Sequence, residues 1–425
     1  MTAGAGWRPE PRPEWVEAAN RGDVLPITEV ARRPLDRDEL LAEACARRGV
    51  ADAGWGAFGD DRFLEPLQVL LGALEDEAAL TVTGRWMTRR FVVRMLEVRL
   101  QLVAYEAADP GVRDEVVERP LVVTGAPRTG TTILHSLLAT DPRRRAPEGW
   151  ELVRPVPPPD PDPERFAADA RIPLADLELR LPTIVVSGLL AIHEYGARMP
   201  KECLSAMSLE FLSEEFTSRY DVPSYADYLA RADMRPAYEM HRRVLRVLQR
   251  GFPPGRTWVL KSPVHLHSLG TLLDVYPDAR LAITHRDPLS VLGSVVSLLA
   301  TLRWAHSDRV DLSALGAESS ELYLTDLDRL VTLSESGFLD PAMVHHCRYA
   351  DFVGDPMGQL EALYRHLGDD LGDDARRHME EHLAARPKGL HGGHSYSFDD
   401  LGLDRDRERA RSARYQSYFA VPDEL

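Results

Sequence analysis

The chain has 425 residues, 44% of them hydrophobic and 28% charged, and its 51 basic and 67 acidic side chains leave a net charge of −16. The apolar fraction excludes a disordered chain, and an acidic chain without a long Lys/Arg run is no general nucleic-acid binder. Three widely separated cysteines, Cys45, Cys203 and Cys347, give neither a disulfide framework nor a paired-cysteine zinc spacing. The segment MTAGAGWRPEPRPEW lacks the apolar core of a signal peptide. The longest apolar stretch, near residues 184–192, is about half of the roughly 20 residues a membrane span needs. A soluble, cytoplasmic protein without a membrane span is therefore expected. Lysine occurs only three times, at Lys201, Lys261 and Lys388, against 48 arginines, so each lysine is worth locating, because the two cations are not equivalent ligands.

Residues 1–115 read as a helical segment packed on a core. LEPLQVLLGALEDEAAL and RRFVVRMLEVRLQLVAYEA space apolar residues three and four apart. Asp109-Pro110-Gly111 interrupts this pattern. Residues 116–425 then form the second unit. A short apolar run at 119–124 fits a buried parallel strand, and TTILHSLLAT after residue 130 continues as a helix. RPVPPPDPDP, residues 154–163, predicts an extended connection. Residues 164–250 return to helical spacing and form an insertion. Two strand–helix units follow, with strands at 257–261 and 280–285, and a fourth strand is expected near 343–349. Strand–helix alternation predicts an α/β fold with a central parallel sheet covered by helices.

The strongest local feature is Gly125-Ala126-Pro127-Arg128-Thr129-Gly130-Thr131-Thr132, between a predicted strand and a predicted helix. Glycines five apart let successive N–H groups turn inward, and the helix start adds its positive dipole end, so the loop suits a phosphate. It has the shape of the nucleotide P-loop but carries Thr131 in the lysine slot, with Arg128 inside the loop. A triphosphate site wants that lysine together with magnesium. A second anion site opens the helix after the 280–285 strand. Asp287 is a good N-cap and Pro288 a good first residue, Arg286 stands at the helix start, and Ser290 and Ser294 share one face. His285-Arg286-Asp287 is no kinase loop, since Leu292 stands where that loop needs asparagine.

With these two sites the chain resembles the sulfotransferases that use 3′-phosphoadenosine 5′-phosphosulfate (PAPS), in particular their broad bacterial branch. The resemblance runs from about residue 119 to about residue 395 and implies a P-loop three-layer sandwich. It assigns Pro127, Arg128, Thr129, Gly130, Thr131 and Thr132 to the 5′-phosphosulfate, and Arg286 with Ser294 to the 3′-phosphate. Leu260-Lys261-Ser262 is similar to the family's strand ending in lysine and serine. Tyr349 resembles the ring that contacts adenine, and Lys388-Gly389 the loop that closes on the 3′-phosphate. PAPS would be the co-substrate and no metal is expected. His345 and His346 face opposite sides of a strand, and His391 with His394 suits a polar loop better than a metal site.

Sulfuryl transfer needs a base for the acceptor proton. Glu151 and His265 are both candidates, with His193-Glu194 a weaker one. The alternatives are an ion pair of Glu151 with one of Arg143–Arg145 or Arg154, and a helix-start hydrogen bond for His265. Lys261 and Arg128 are expected to stabilise the charge that develops on the departing phosphate. The acceptor is a hydroxyl of a small molecule, lipid or glycan, beside Tyr195, Phe211, Phe216, Tyr220, Tyr225 and Tyr228 unless these are ordinary core. The rival readings are a P-loop small-molecule kinase or other nucleoside-triphosphate enzyme, and a non-catalytic nucleotide-binding protein on the same fold. Composition leaves the oligomeric state open.

Overall fold

The structure, a computed structural model, describes residues 7–51, 55–192, 196–252, 255–386 and 398–425. Five strands form one sheet: β1 (Leu121–Thr124), β2 (Arg144–Arg145), β3 (Thr257–Lys261), β4 (Arg280–His285) and β5 (Val344–Arg348). Their order is β2-β3-β1-β4-β5 and every pairing is parallel.

Alternation along the strands decides the layers. Leu121 and Val123 of β1, Val259 of β3 and Ala282 of β4 pack on one face with Leu134, Leu137 and Leu138 of helix Thr131–Leu138. Val122, Leu260, Leu281 and Ile283 point to the other face and join a cluster with Tyr238, Val244 and Leu248 of helix Arg235–Gln249. The result is the expected three-layer sandwich. Four expected strands are present, shorter by one or two residues at some ends. The fifth, β2, has no apolar pattern to announce it. Two arginines become a strand only because Arg144 and Arg145 pair in register with Thr257 and Trp258 at the sheet edge.

Helix Val82–Ala108 carries the N-terminal segment across this core. Most of its residues are buried, Arg89, Arg94 and Arg99 among them. A buried cation is tolerable only when paired and hydrogen-bonded. Arg99 accordingly meets Glu210 at 2.8 Å, donates to the carbonyls of Leu209 and Phe58, and lies 3.9 Å over the Phe63 ring. One continuous apolar cluster runs from Leu40 and Leu67 through Val92 and Phe211 to the sheet. Residues 164–250 are largely helical, as expected, and the proline-rich connection ends where Pro163 opens a short helix capped by Asp162. Among the described residues no helix is long and apolar enough to cross a membrane.

The long helix starts where it does because Thr81 caps it and Gly84 lets it approach the 305–307 turn. A Cβ on Gly84 would sit 2.0 Å from the backbone oxygen of His306. Gly84→Ala should therefore destabilise the fold by about 1–3 kcal/mol, the usual penalty for overpacking, seen as a lower urea midpoint at unchanged slope. An unchanged midpoint would show that the helix shifts freely.

Candidate active site

β1 is central, with β3 and β4 as its neighbours, so the segments that follow these three strands emerge side by side at the carboxyl edge of the sheet. This is where open α/β sheets bind ligands. The loop after β1 is held very close to β4. Gly125 has φ 139°, and a Cβ there would lie 2.4 Å from the Thr284 carbonyl oxygen. Gly130, at φ 95°, caps helix Thr131–Leu138 and lets the Tyr349 ring lie against it. Arg128 adopts φ 67°, a left-handed conformation costing a non-glycine residue about 1–2 kcal/mol. Thr129 holds the loop in this shape, donating to Ala126 O at 2.6 Å and meeting the Thr284 hydroxyl at 2.5 Å. Left-handed residues at Arg128 and Gly130 just before a helix start are backbone of the kind that can turn amides toward an anion.

The two predicted anion seats are physically joined. Arg128 Nε donates to Ser294 Oγ at 3.0 Å, and Arg286 Nη1 donates to the Arg128 carbonyl oxygen at 3.0 Å. Arg286 also lies 4.3 Å over the Tyr349 ring and pairs with Glu424 at 2.7 Å. Pro127, Thr131 and Thr132 complete the loop and its helix start. Lys388 and Gly389 lie outside the described residues, as do His391, His394, His193, Glu194 and Tyr195.

The third cation comes from β3. Val259 faces the loop helix, so Lys261, two residues on, faces it too. Its Nζ donates to Thr132 Oγ1 at 3.2 Å and pairs with Glu202 at 2.5 Å. The lysine missing from the loop is thus supplied by the neighbouring strand. Glu202 is the residue that sequence reasoning overlooked. It is held there because the next amide, Cys203 N–H, donates to the Lys261 carbonyl oxygen at 2.9 Å. No local signal links residues 59 positions apart. The Glu202 side chain remains 18% exposed beside a Lys261 that is 2% exposed.

Glu151 and His265 are placed differently. Both oxygens of Glu151 are engaged: one pairs with Arg145 and the other accepts from Glu148 N–H at 2.8 Å. The carboxylate is completely enclosed, and burial raises its pKa against the pull of Arg145. His265 is equally enclosed. Its Nδ1 shares a 2.9 Å hydrogen bond with the Tyr238 hydroxyl, while Nε2 has no partner. Burial, with help from neighbouring His241, lowers its pKa to about 3, so the ring is neutral across the physiological range.

A cavity of about 790 Å³ lies between the 207–234 helices, the segment after β3, and helices Pro288–Trp304 and Leu312–Glu335. Apolar side chains such as Met207, Val222, Leu229 and Leu299 line it beside Tyr323 and several acids. Phe211, Phe216, Tyr220 and Tyr225 do not; they are core, with Phe211 stacked on Phe216 at 6.0 Å. Tyr228 packs against that core. On the cavity wall His267 bridges Asp326 through Nδ1 and Glu214 through Nε2 at 3.1 Å. Among the described residues no group of three or more His, Cys, Asp or Glu side chains is arranged to hold a metal ion.

Residues 120–373, which carry the parallel sheet, the loop 125–132, the Arg286–Ser294 helix start and the strand-end Lys261, match the Sulfotransferase family. The chain belongs to that family. It is 30% identical over 262 residues to omega-hydroxy-beta-dihydromenaquinone-9 sulfotransferase Stf3 of Mycobacterium bovis and of Mycobacterium tuberculosis. The match covers 61% of this chain and 64% of each relative's length. The structure superposes on sulfotransferase STF1 from M. tuberculosis with a TM-score of 0.77 at 32% identity, covering 89% of this chain and 98% of that one. For sulfotransferase STF9 from Mycobacterium avium the TM-score is 0.80 at 28% identity, covering 92% and 99%.

His267 gives a pH signature. Burial alone would discharge the ring, but Glu214 and Asp326 outweigh it and push the pKa up to about 10. A raised pKa contributes stability that is complete below the unfolded value of about 6.5 and fades as pH rises toward the folded value. Thermal unfolding should show stability falling between about pH 6.5 and pH 10, and His267→Gln should flatten that slope. The same slope in the variant would place the titrating group elsewhere.

Proposed function

We propose that the chain is a PAPS-dependent sulfotransferase that moves a sulfuryl group to the hydroxyl of an apolar acceptor. The observation that carries this is the junction of two arginine seats across adjacent strands, Arg128 to Ser294 and Arg286 to the Arg128 carbonyl. A ligand anionic at both ends suits such a pair, and PAPS is one. In this reading the loop 125–132 holds the 5′-phosphosulfate, Arg286 and Ser294 hold the 3′-phosphate, and Tyr349 borders the adenine.

The acceptor oxygen attacks sulfur as the bond from sulfur to the 5′-phosphate oxygen breaks, and the electron pair leaves with adenosine 3′,5′-bisphosphate. Lys261, Arg128 and the loop amides stabilise the charge that grows on the leaving phosphate. The acceptor proton goes to Glu202. Glu151 has no free oxygen and His265 is sealed away, whereas Glu202 is a partly exposed carboxylate beside Lys261. When the donor draws Lys261 to its phosphate, Glu202 loses a cationic partner and becomes a stronger base.

The acceptor class rests on a relative named for a hydroxylated menaquinone, beside a 790 Å³ cavity whose wall mixes apolar side chains with acids. A lipid-like alcohol follows from the relative's named substrate. We assign the reaction to the cytoplasm, consistent with three cysteines that form no disulfide. Radiolabelled-donor turnover tests this reading, with calorimetry of adenosine 3′,5′-bisphosphate beside ATP and magnesium. The bisphosphate should bind and ATP with magnesium should not; the reverse would favour the kinase reading. Lys261→Arg should lose most turnover although the charge is kept. Glu202→Gln should lower turnover about 100-fold or more while leaving bisphosphate binding nearly intact. Normal turnover in Glu202→Gln would mean that another group takes the proton.

A further inference from the structure

The seat assigned to the donor's 3′-phosphate already holds an anion of the chain itself. Both Glu424 oxygens accept from Arg286 Nε at 3.0 Å, and Oε2 also accepts from Nη2 at 2.7 Å. The remaining edge of the guanidinium, Nη1, is engaged by the Arg128 carbonyl. The pair is largely shielded, with 16% of the Arg286 and 28% of the Glu424 side chain exposed.

The segment that presents Glu424 is built to stay there. The N–H groups of Glu424 and Leu425 donate to Asp287 Oδ2 at 2.8 and 3.2 Å. Arg409, on helix Arg405–Phe419, pairs with Asp287 at 2.6 Å and with Asp423 at 2.9 Å. Gln416 Nε2 donates to Asp423 at 2.7 Å. Asp287 in turn caps helix Pro288–Trp304, which carries Ser294. The carboxylate is therefore fixed to the same helix start that shapes the anion seat.

A carboxylate across the Nε/Nη2 edge of a guanidinium uses the fork that a phosphate uses. One arginine cannot give that edge to two anions at once. We propose that Glu424 is an internal competitor for the donor's 3′-phosphate: it occupies the Nε/Nη2 edge of Arg286 in the free protein and withdraws when a 3′-phosphorylated nucleotide enters. The proposal rests on the reading of Arg286 as the 3′-phosphate seat. Its consequence is specific. Apparent affinity falls by the fraction of molecules whose seat is taken, so Glu424 weakens binding of adenosine 3′,5′-bisphosphate and speeds its departure after transfer. A nucleotide without a 3′-phosphate does not compete for Arg286 and escapes this effect.

Calorimetry on the full chain with adenosine 3′,5′-bisphosphate and with adenosine 5′-phosphate tests it. Glu424→Gln should bind the bisphosphate about 3- to 10-fold more tightly, the range expected for losing a partly shielded charged pair. Its affinity for adenosine 5′-phosphate should stay unchanged. Arg409→Ala, which loosens the anchor and leaves the carboxylate, should shift bisphosphate binding in the same direction by less. Unchanged or weaker bisphosphate binding in Glu424→Gln would overturn the proposal, since a carboxylate that merely positions Arg286 gives that result. An equal gain for both nucleotides would overturn it too. If neither the wild-type chain nor Glu424→Gln binds the bisphosphate, it is the sulfotransferase reading that fails. Binding by the variant alone would support the competitor.

Discussion

Three cations, Arg128, Lys261 and Arg286, follow or end three adjacent parallel strands, and the need to partner each of them is the constraint around which this edge of the protein is arranged. The chain carries 51 basic side chains against 67 acidic ones, and these three are the ones that the strand order gathers at the carboxyl edge of the sheet. Each cation is held by a polar group of the chain itself. Lys261 has Glu202, Arg286 has Glu424, and Arg128 turns to the Ser294 hydroxyl. Such partners let the seats stay folded without a ligand, because buried like charges without compensation are costly. They also mean that an anionic ligand binds by exchange, replacing internal contacts rather than filling unpaired ones.

The strand order makes this crowding possible. β1 is flanked by β3 and β4 in register, Val123 beside Lys261 and Thr124 beside Ile283. The close approach of Gly125 to Thr284 then ties the loop to β4, and the Arg286 contact to the Arg128 carbonyl carries the link to the second seat. A shift of one residue in β3 would turn Lys261 to the opposite face.

How much of this is legible in the sequence depends on how local each signal is. The loop 125–132 and the helix start at Asp287 are readable because turn glycines, caps and strand alternation act over a few residues. Lys261 could be placed on the loop's side of the sheet by alternation alone. Glu202 and Glu424 could not be found, since their partners lie 59 and 138 residues away and neither sits in a motif. His265 follows a strand end and reads as a mouth residue, but Tyr238 from a distant helix closes over it. The aromatics at 211–225 carry a helical spacing that core and pocket share, and burial assigned them to the core. The two-arginine strand β2 exists only through its partner.

The central claim is that the two arginine seats form one site for a nucleotide phosphorylated at both ends. A crystal structure with adenosine 3′,5′-bisphosphate tests it most directly. The 5′-phosphate should lie within the amides of 125–132 beside Lys261, and the 3′-phosphate on Arg286 and Ser294. A bisphosphate bound elsewhere, or one whose 3′-phosphate points away from Arg286, would contradict it.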